Sequence, residues 1–140
     1  MIDPLKSISA IASSGMEAQS LRMRVASENI ANARATATAP GETPYVRKTI
    51  HFSAQPMREL GVSRVAVSQL GVDQTTPFTV EHDPGNPAAD ANGNVKMPNV
   101  NPLVEMADLR EAGRSYSANL QMMKQARSMI SMTIDLLRAG

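Results

Sequence analysis

The chain has 140 residues and a mass of 15.0 kDa, which suffices for one ordinary domain or two small units that share helices, but not for two full domains. Fourteen Lys and Arg face 13 Asp and Glu, a formal net charge of +1, and this balance removes the electrostatic basis for a nucleic-acid partner or a polybasic membrane anchor. Leu, Ile, Val and Phe make up a fifth of the residues and there is no Trp, so a thick self-contained core is not expected, and the absence of Cys excludes disulfides, thiolate metal sites and cysteine nucleophiles.

At the amino end, Asp3-Pro4 places a capping residue before a proline in the first helical position, and no further proline follows before Arg34. These residues predict a single amino-terminal helix over 1–34. Its apolar side runs through Leu5, Ile8, Ile11, Ala18, Leu21 and Val25, with Ala12 and Ala26 beside it and a notch of small residues at Ser13, Ser14 and Gly15. Gly15 suits a close helix approach, and Asn29 and Asn32, on adjacent turns near the helix end, suit side-chain amide bonds to a neighbour's backbone or a local cap. The first six residues carry one Lys and one Asp and are followed by polar serines, so no cleaved signal peptide is expected; no apolar run is long enough for direct membrane insertion.

Residues 35–100 read as a linker, short strands and a loop. Ala35 to Pro44 is rich in Thr, Pro and Gly and has no period. Tyr45–Ser53, Val62–Leu70 and Thr76–His82 are short, rich in β-branched and aromatic residues, and separated by Gly or Pro, which predicts strands. From Asp83 to Asn94 the turn residues are densest, and the insert ends near Pro98.

Residues 101–140 carry the strongest periodicity. Asn101-Pro102 repeats the cap-then-proline start, and a 3,4 alternation then runs through Met106, Leu109, Gly113, Tyr116, Leu120, Met123, Arg127, Ile130, Ile134 and Leu137. Eight of these ten positions are apolar, and a helix carrying them is roughly 50 Å long. One Ala-rich amino-terminal helix cannot cover such a helix on all sides. The predicted class is therefore mainly α with a small β-rich insert, its long terminal helices packing as a coiled-coil-like layer in a helical assembly.

Chemistry finds few candidates. His51 and His82 are the two histidines, and neither has a partner at fixed spacing, although His82 with Asp83 is the one pairing an acid-base enzyme would use. The segment Asp90-x-Asn92-Gly93-Asn94 has its Gly one place before the third ligand position of a calcium loop, and Asn101 stands where the closing Glu belongs, so turn geometry accounts for it better than a metal. No catalytic residue, cofactor or metal is expected.

Ser14-Gly15-Met16-x-Ala18-Gln19-x-x-Arg22-Met23 followed by Asn29-Ile30-Ala31-Asn32 and Thr36 resembles the amino-terminal signature of flagellar basal-body rod proteins and their hook relatives. Pro44 to Lys48, Asp83 to Gly93, Met97 to Asn101, Glu105-Met106 and Arg114-x-Tyr116-x-Ala118-Asn119 are similar to the proximal-rod members in particular, and the resemblance covers nearly the whole chain. Asn86, Asn94 and Ser117 depart from the residues common there. The resemblance implies a structural subunit of the rod that transmits torque, with other rod proteins, copies of itself and the flagellar type III export apparatus as partners, and with export to a periplasmic site without a cleaved signal peptide. It also implies an inner helical layer as the assembly interface: Leu5, Ile8, Ile11, Gly15, Leu21, Val25, Asn29 and Asn32 from the first helix, with Met106, Leu109, Tyr116, Asn119, Leu120, Met123, Ile130, Ile134 and Leu137 from the last. The rival reading from the heptads alone is an adaptor that forms a discrete coiled-coil oligomer with a partner helix.

Overall fold

A computed structural model describes residues 4–140. Helix α1 spans Pro4–Ala31, strands β1 to β4 span Lys48–Met57, Val62–Val72, Thr79–His82 and Asn94–Met97, and helix α2 spans Pro102–Ala139. Two long helices thus flank a small β insert, as the periodicity predicts. Asp3, the expected cap of α1, lies outside the described residues. At α2 the expected start is present: the Leu103 amide donates to Asn101 Oδ1 at 3.1 Å and the Glu105 amide closes the first helical bond on the Asn101 carbonyl at 3.1 Å.

Several boundaries move. Helix α1 stops at Ala31 rather than Arg34, because Asn32 Nδ2 folds back onto the Glu28 carbonyl at 2.8 Å and the next amides make turn bonds. Strand β1 begins at Lys48 rather than Tyr45, since the amides of Tyr45 and Arg47 are taken by the Ala35 carbonyl and by Asn99 Oδ1. It then runs on to Met57. Gly61, at φ 62, closes the β1–β2 hairpin in a left-handed conformation that a β-carbon would strain. Strand β3 begins at Thr79, not Thr76, whose amide and hydroxyl serve Asp73 instead. Strand β4 was not expected; four residues between Gly93 and Pro98 are too few to show a period.

By contact the chain divides into two compact units, one formed by the stretch up to Met23 with His51–Gln69 and Arg110–Gly140, the other by Arg24–Ile50 and Leu70–Leu109. In the first, the buried apolar residues are Ala12, Ala18, Ala112 and Ala126, so the helices there meet through their smallest side chains. In the second, β3 pairs antiparallel with β4, Thr79 opposite Met97 and His82 opposite Asn94. Val95, Met97 and Ala88 form its small core, with Ala37 and Ala89 packed against it.

Candidate functional site

The second unit is organised around polar groups. Asn29, four residues beyond Val25 on the buried stripe of α1, has no exposed surface. Its Oδ1 accepts from the Lys48 amide at 2.8 Å and the Tyr45 hydroxyl at 2.9 Å, while its Nδ2 donates to the Lys48 carbonyl at 2.9 Å and to Glu105 Oε2 at 3.0 Å. The amide thereby pairs with Lys48 as a neighbouring strand would, and all four of its hydrogen-bond positions are occupied. The expectation that Asn29 bonds a neighbour's backbone is corrected here, because no donor or acceptor is left for one. Asn32 takes the local capping role.

Glu105, in the first turn of α2, is 1% exposed. Its second oxygen accepts from Arg47 Nε at 2.6 Å, a charge-assisted bond that offsets the cost of burying the carboxylate. From Arg47 the network continues through its amide to Asn99 Oδ1 at 2.8 Å, and Asn99 Nδ2 donates to the carbonyls of Asp73 at 2.9 Å and Thr76 at 3.1 Å. Asp73 accepts from the amides and hydroxyls of both Thr75 and Thr76, and these bonds hold its carboxyl well below the usual range, the Thr76 hydroxyl contributing most. Burial is the first cause of the upward shift at Tyr45. Three loops and both helix segments of this unit therefore meet on one satisfied polar network. The sequence reading gives Tyr45, Arg47, Asn99 and Glu105 no role beyond a predicted strand and the strings that carry the family resemblance, and it misses Asp73 altogether.

In the first unit the notch at Gly15 is filled by Asn119. A β-carbon on Gly15 would lie 2.8 Å from Asn119 Nδ2 and 2.9 Å from its Cγ and Oδ1. Asn119 Nδ2 itself donates to the Ser115 carbonyl at 2.9 Å, and Ser14 Oγ, bonded to the Ile11 carbonyl, accepts the Val65 amide of β2 at 3.2 Å. Gly15 and Asn119, both named among the candidate residues, are thus brought together within one chain.

The line of residues that α2 buries within the chain is not the predicted assembly seam. Glu105, Ala112 and Ala126 are buried with Asn119 half-buried between them, a spacing of seven that runs one residue ahead of Met106, Gly113, Leu120 and Arg127. Leu109, Tyr116, Leu120, Met123 and Ile130 are half-buried. In this unit α2 thus buries Ala112 and Ala126 while α1 buries Ala12 and Ala18, and Asn119 fills the notch at Gly15. Met106, Ile134 and Leu137 are exposed, as are Leu103, Val104, Met122, Met129, Met132 and Leu136. On α1, Val25 is buried, Leu5, Ile8 and Leu21 are half-buried, and Ile11 is exposed.

Both histidines are exposed, and His82 Nδ1 lies 3.5 Å from Asn94 Oδ1. Asp90 Oδ1 accepts the amides of Asn92 and Asn94, a turn in which the carboxylate is already engaged, and the Asn94 amide leads in lowering its pKa. Among the described residues no group of three or more His, Cys, Asp or Glu is placed to hold a metal ion, and no helix is long and apolar enough to cross a membrane.

Residues 91–136 match the family described as flagellar basal body rod FlgEFG protein C-terminal. Over 139 residues, 99% of each chain, the sequence is 59% identical to the flagellar basal-body rod protein FlgC of Agrobacterium fabrum. It is 39% identical over 132 residues to the protein of that name from Salmonella typhimurium, with 94% of this chain and 97% of the other covered, and 36% identical over 133 residues to that of Buchnera aphidicola subsp. Acyrthosiphon pisum, with the same coverage.

Proposed function

Since the chain belongs to the FlgC family of flagellar basal-body rod proteins and is a structural subunit of that rod, we propose that it is a proximal-rod subunit that joins copies of itself and other rod proteins through the exposed apolar residues of its terminal helices. The observation that carries this reading is an inversion of ordinary burial. Within the first unit the buried apolar residues are four alanines, while Met122, Met129, Met132, Ile134, Leu136 and Leu137 of α2 face outward. Leu136 and Leu137 are 75% and 78% exposed. An exposed apolar stripe of this extent is a liability for a monomer and a ready surface for a helical neighbour.

In this proposal, covering those side chains by a neighbour forms the coiled-coil-like layer, and torque passes through it as a load on packed helices. The buried network of Asn29, Glu105 and Arg47 serves the subunit itself by holding the second unit in one conformation. Export through the flagellar type III apparatus to the periplasm, without a cleaved signal peptide, and the absence of any catalysed reaction belong to the same proposal.

Ile134→Asp tests it against Ser131→Asp, with rod completion and periplasmic level measured in cells that lack the wild-type copy. Ile134→Asp places a charge where a dry contact is required, at a cost of several kcal/mol by the order of an unpaired buried charge, roughly 3–5 kcal/mol. Ser131 lies outside the proposed seam, so its Asp variant should assemble nearly as wild type, with only a modest penalty near the helix carboxyl terminus. Equal assembly by both variants refutes the seam. A closed oligomer of purified chain that persists at every concentration favours the adaptor reading instead.

A further inference from the structure

We propose that Asn92 is a site of spontaneous deamidation that the folded β3–β4 loop holds in check and the unfolded chain does not. Of the eight asparagines, Asn92 alone precedes glycine; Asn86 and Asn101 precede proline, which has no amide to react, and the others precede larger residues that crowd the attack. Asn92 is exposed to water at the tip of the loop, whereas the glycine that follows it is buried.

The reaction needs only water. The backbone nitrogen of Gly93, on loss of its proton, attacks the side-chain carbonyl carbon of Asn92. A C–N bond forms within a five-membered succinimide, the bond to the side-chain nitrogen breaks, and that nitrogen leaves as ammonia after taking up the proton. Water then opens the ring at either carbonyl, yielding aspartate or isoaspartate with no change of oxidation state.

Folding obstructs the first step in several ways. The Gly93 N–H donates to the Asp90 carbonyl at 3.0 Å, a bond that stabilises the protonated amide and is lost on ionisation. The amides on both sides are fixed as well, Asn92 N and Asn94 N each donating to Asp90 Oδ1 at 2.8 and 2.9 Å. Gly93 stands at φ 78, and a β-carbon there would lie 2.9 Å from both His82 Cε1 and Pro84 Cγ, so the backbone has little room to rotate toward the ring geometry. Of the two products, isoaspartate is the one that the turn does not accommodate. Isoaspartate adds a methylene to the main chain between the two amides that Asp90 holds, and so disturbs the bond from Asp83 N to the Gly93 carbonyl at 2.9 Å that closes β3 on β4. Damage in the unfolded chain would therefore become a defect next to Val95 and Met97, in the core of the second unit.

The full chain is incubated at neutral pH in buffer and in denaturing urea, with amide-to-acid conversion at Asn92 followed by peptide mass spectrometry and isoaspartate located by fragmentation; Asn92→Ser is the control. Conversion should run at least about tenfold faster in urea, the rate ratio expected from losing one or two net hydrogen bonds. Asp90→Ala keeps the backbone carbonyl that accepts the Gly93 N–H but frees the Asn92 and Asn94 amides, so with folding of the remainder checked by far-ultraviolet ellipticity it should raise the rate in buffer part of the way toward that in urea, and an unchanged rate overturns the part assigned to those two amides. Equal rates for folded and unfolded wild-type chain overturn the gating. No conversion in urea overturns the site itself. Should Asp90→Ala fail to fold, protection of the Gly93 amide against hydrogen exchange in the wild-type chain decides: a freely exchanging amide refutes the proposal and a protected one supports it.

Discussion

Substituting Glu105 by Gln changes one atom in shape and removes one charge, yet the geometry predicts a large loss. Both Glu105 oxygens accept: Oε1 from Arg47 Nε at 2.6 Å and Oε2 from Asn29 Nδ2 at 3.0 Å. Gln has one acceptor oxygen, so its NH2 group must face one of these two donors. Rotating the Asn29 amide would present an oxygen to that NH2, but it would also turn Nδ2 toward the Lys48 N–H, which can only donate and now meets Oδ1 at 2.8 Å. No assignment satisfies all groups. The variant therefore loses one charge-assisted bond and leaves an opposed pair of donors in a place where Glu105 is 1% exposed. Breaking a buried pair costs about 3–5 kcal/mol, and because the Arg47 side chain keeps 29% of its surface in water the expected loss is at the lower end, about 3 kcal/mol. Urea unfolding followed by far-ultraviolet ellipticity should show a lower midpoint at unchanged slope. Arg47→Met in the same chain removes one of the opposed donors, so the double variant should fall short of the sum of the singles by more than about 1 kcal/mol. A Glu105→Gln chain within about 0.5 kcal/mol of wild type would refute the reasoning.

At the helix contact of the first unit, Gly15→Ala should be near neutral, because about 1 kcal/mol of helix propensity gained is offset by displacing the Asn119 amide from the Ser115 carbonyl; in an Asn119→Ala background the same change should stabilise by about 1 kcal/mol, read by the same urea assay. Asp73 has a folded-state pKa held below its unfolded value, so its contribution is complete above about pH 4–5 and is lost as pH falls through the folded value; the gap in Tm between wild type and Asp73→Asn should be constant at neutral pH and shrink as pH drops below about 4. Removing the exposed Lys48–Glu28 pair by Glu28→Gln should leave the urea midpoint close to that of wild type, in contrast to the buried carboxylate that Arg47, one residue away, engages. His51→Ala with His82→Ala should leave motility of the complemented cells at the wild-type level, and loss of motility with normal export and folding would reopen an acid-base role.

What could be read in the sequence follows from how local each signal is. Proline after an Asn or Asp marks a helix start in two adjacent residues, and at Asn101-Pro102 the structure has that start with its side-chain bond. Strand ends were displaced because Tyr45, Arg47 and Thr76 carry β-favouring or extended character in sequence, while their amides are claimed by groups between 3 and 52 positions away. No window can display that competition. Asn29 did leave a trace: a polar residue four places after Val25 and three after Ala26 interrupts an otherwise small, apolar stripe, and an interruption on a buried face demands internal partners. Glu105 left none. An acid in the first turn of a helix is ordinarily a solvent-facing complement to the helix dipole, and only the convergence of Arg47 and Asn29 on it, 58 and 76 residues distant, turns it into a buried acceptor.

On α2 the contact within the chain and the proposed contact with a neighbour use different residues. Heptad reading assigns the largest apolar residues to the contact, which holds when two helices are free to choose their separation. Here α1 offers Ser14, Gly15 and Ala18, and a face of small residues brings the partner backbone close only if the partner is small as well. Ala112 and Ala126 meet that condition; Met106, Ile134 and Leu137 do not. Small side chains bury little apolar area, so the contact within the chain contributes less to stability than a leucine seam would, and the polar network of the second unit takes over the task of fixing conformation. The same division leaves the large residues of α2 uncovered by their own chain. On the reading proposed above, a neighbour covers them, and each residue so covered adds about 1.5–3 kcal/mol to assembly rather than to the monomer. A variant that enlarges the intrachain contact, such as Ala126→Leu, should therefore disturb the helix pair of the isolated subunit, whereas Leu137→Ala should leave monomer unfolding unchanged and weaken only rod assembly. If Leu137→Ala instead lowered the unfolding midpoint of the monomer, the division of labour between small and large side chains would be wrong.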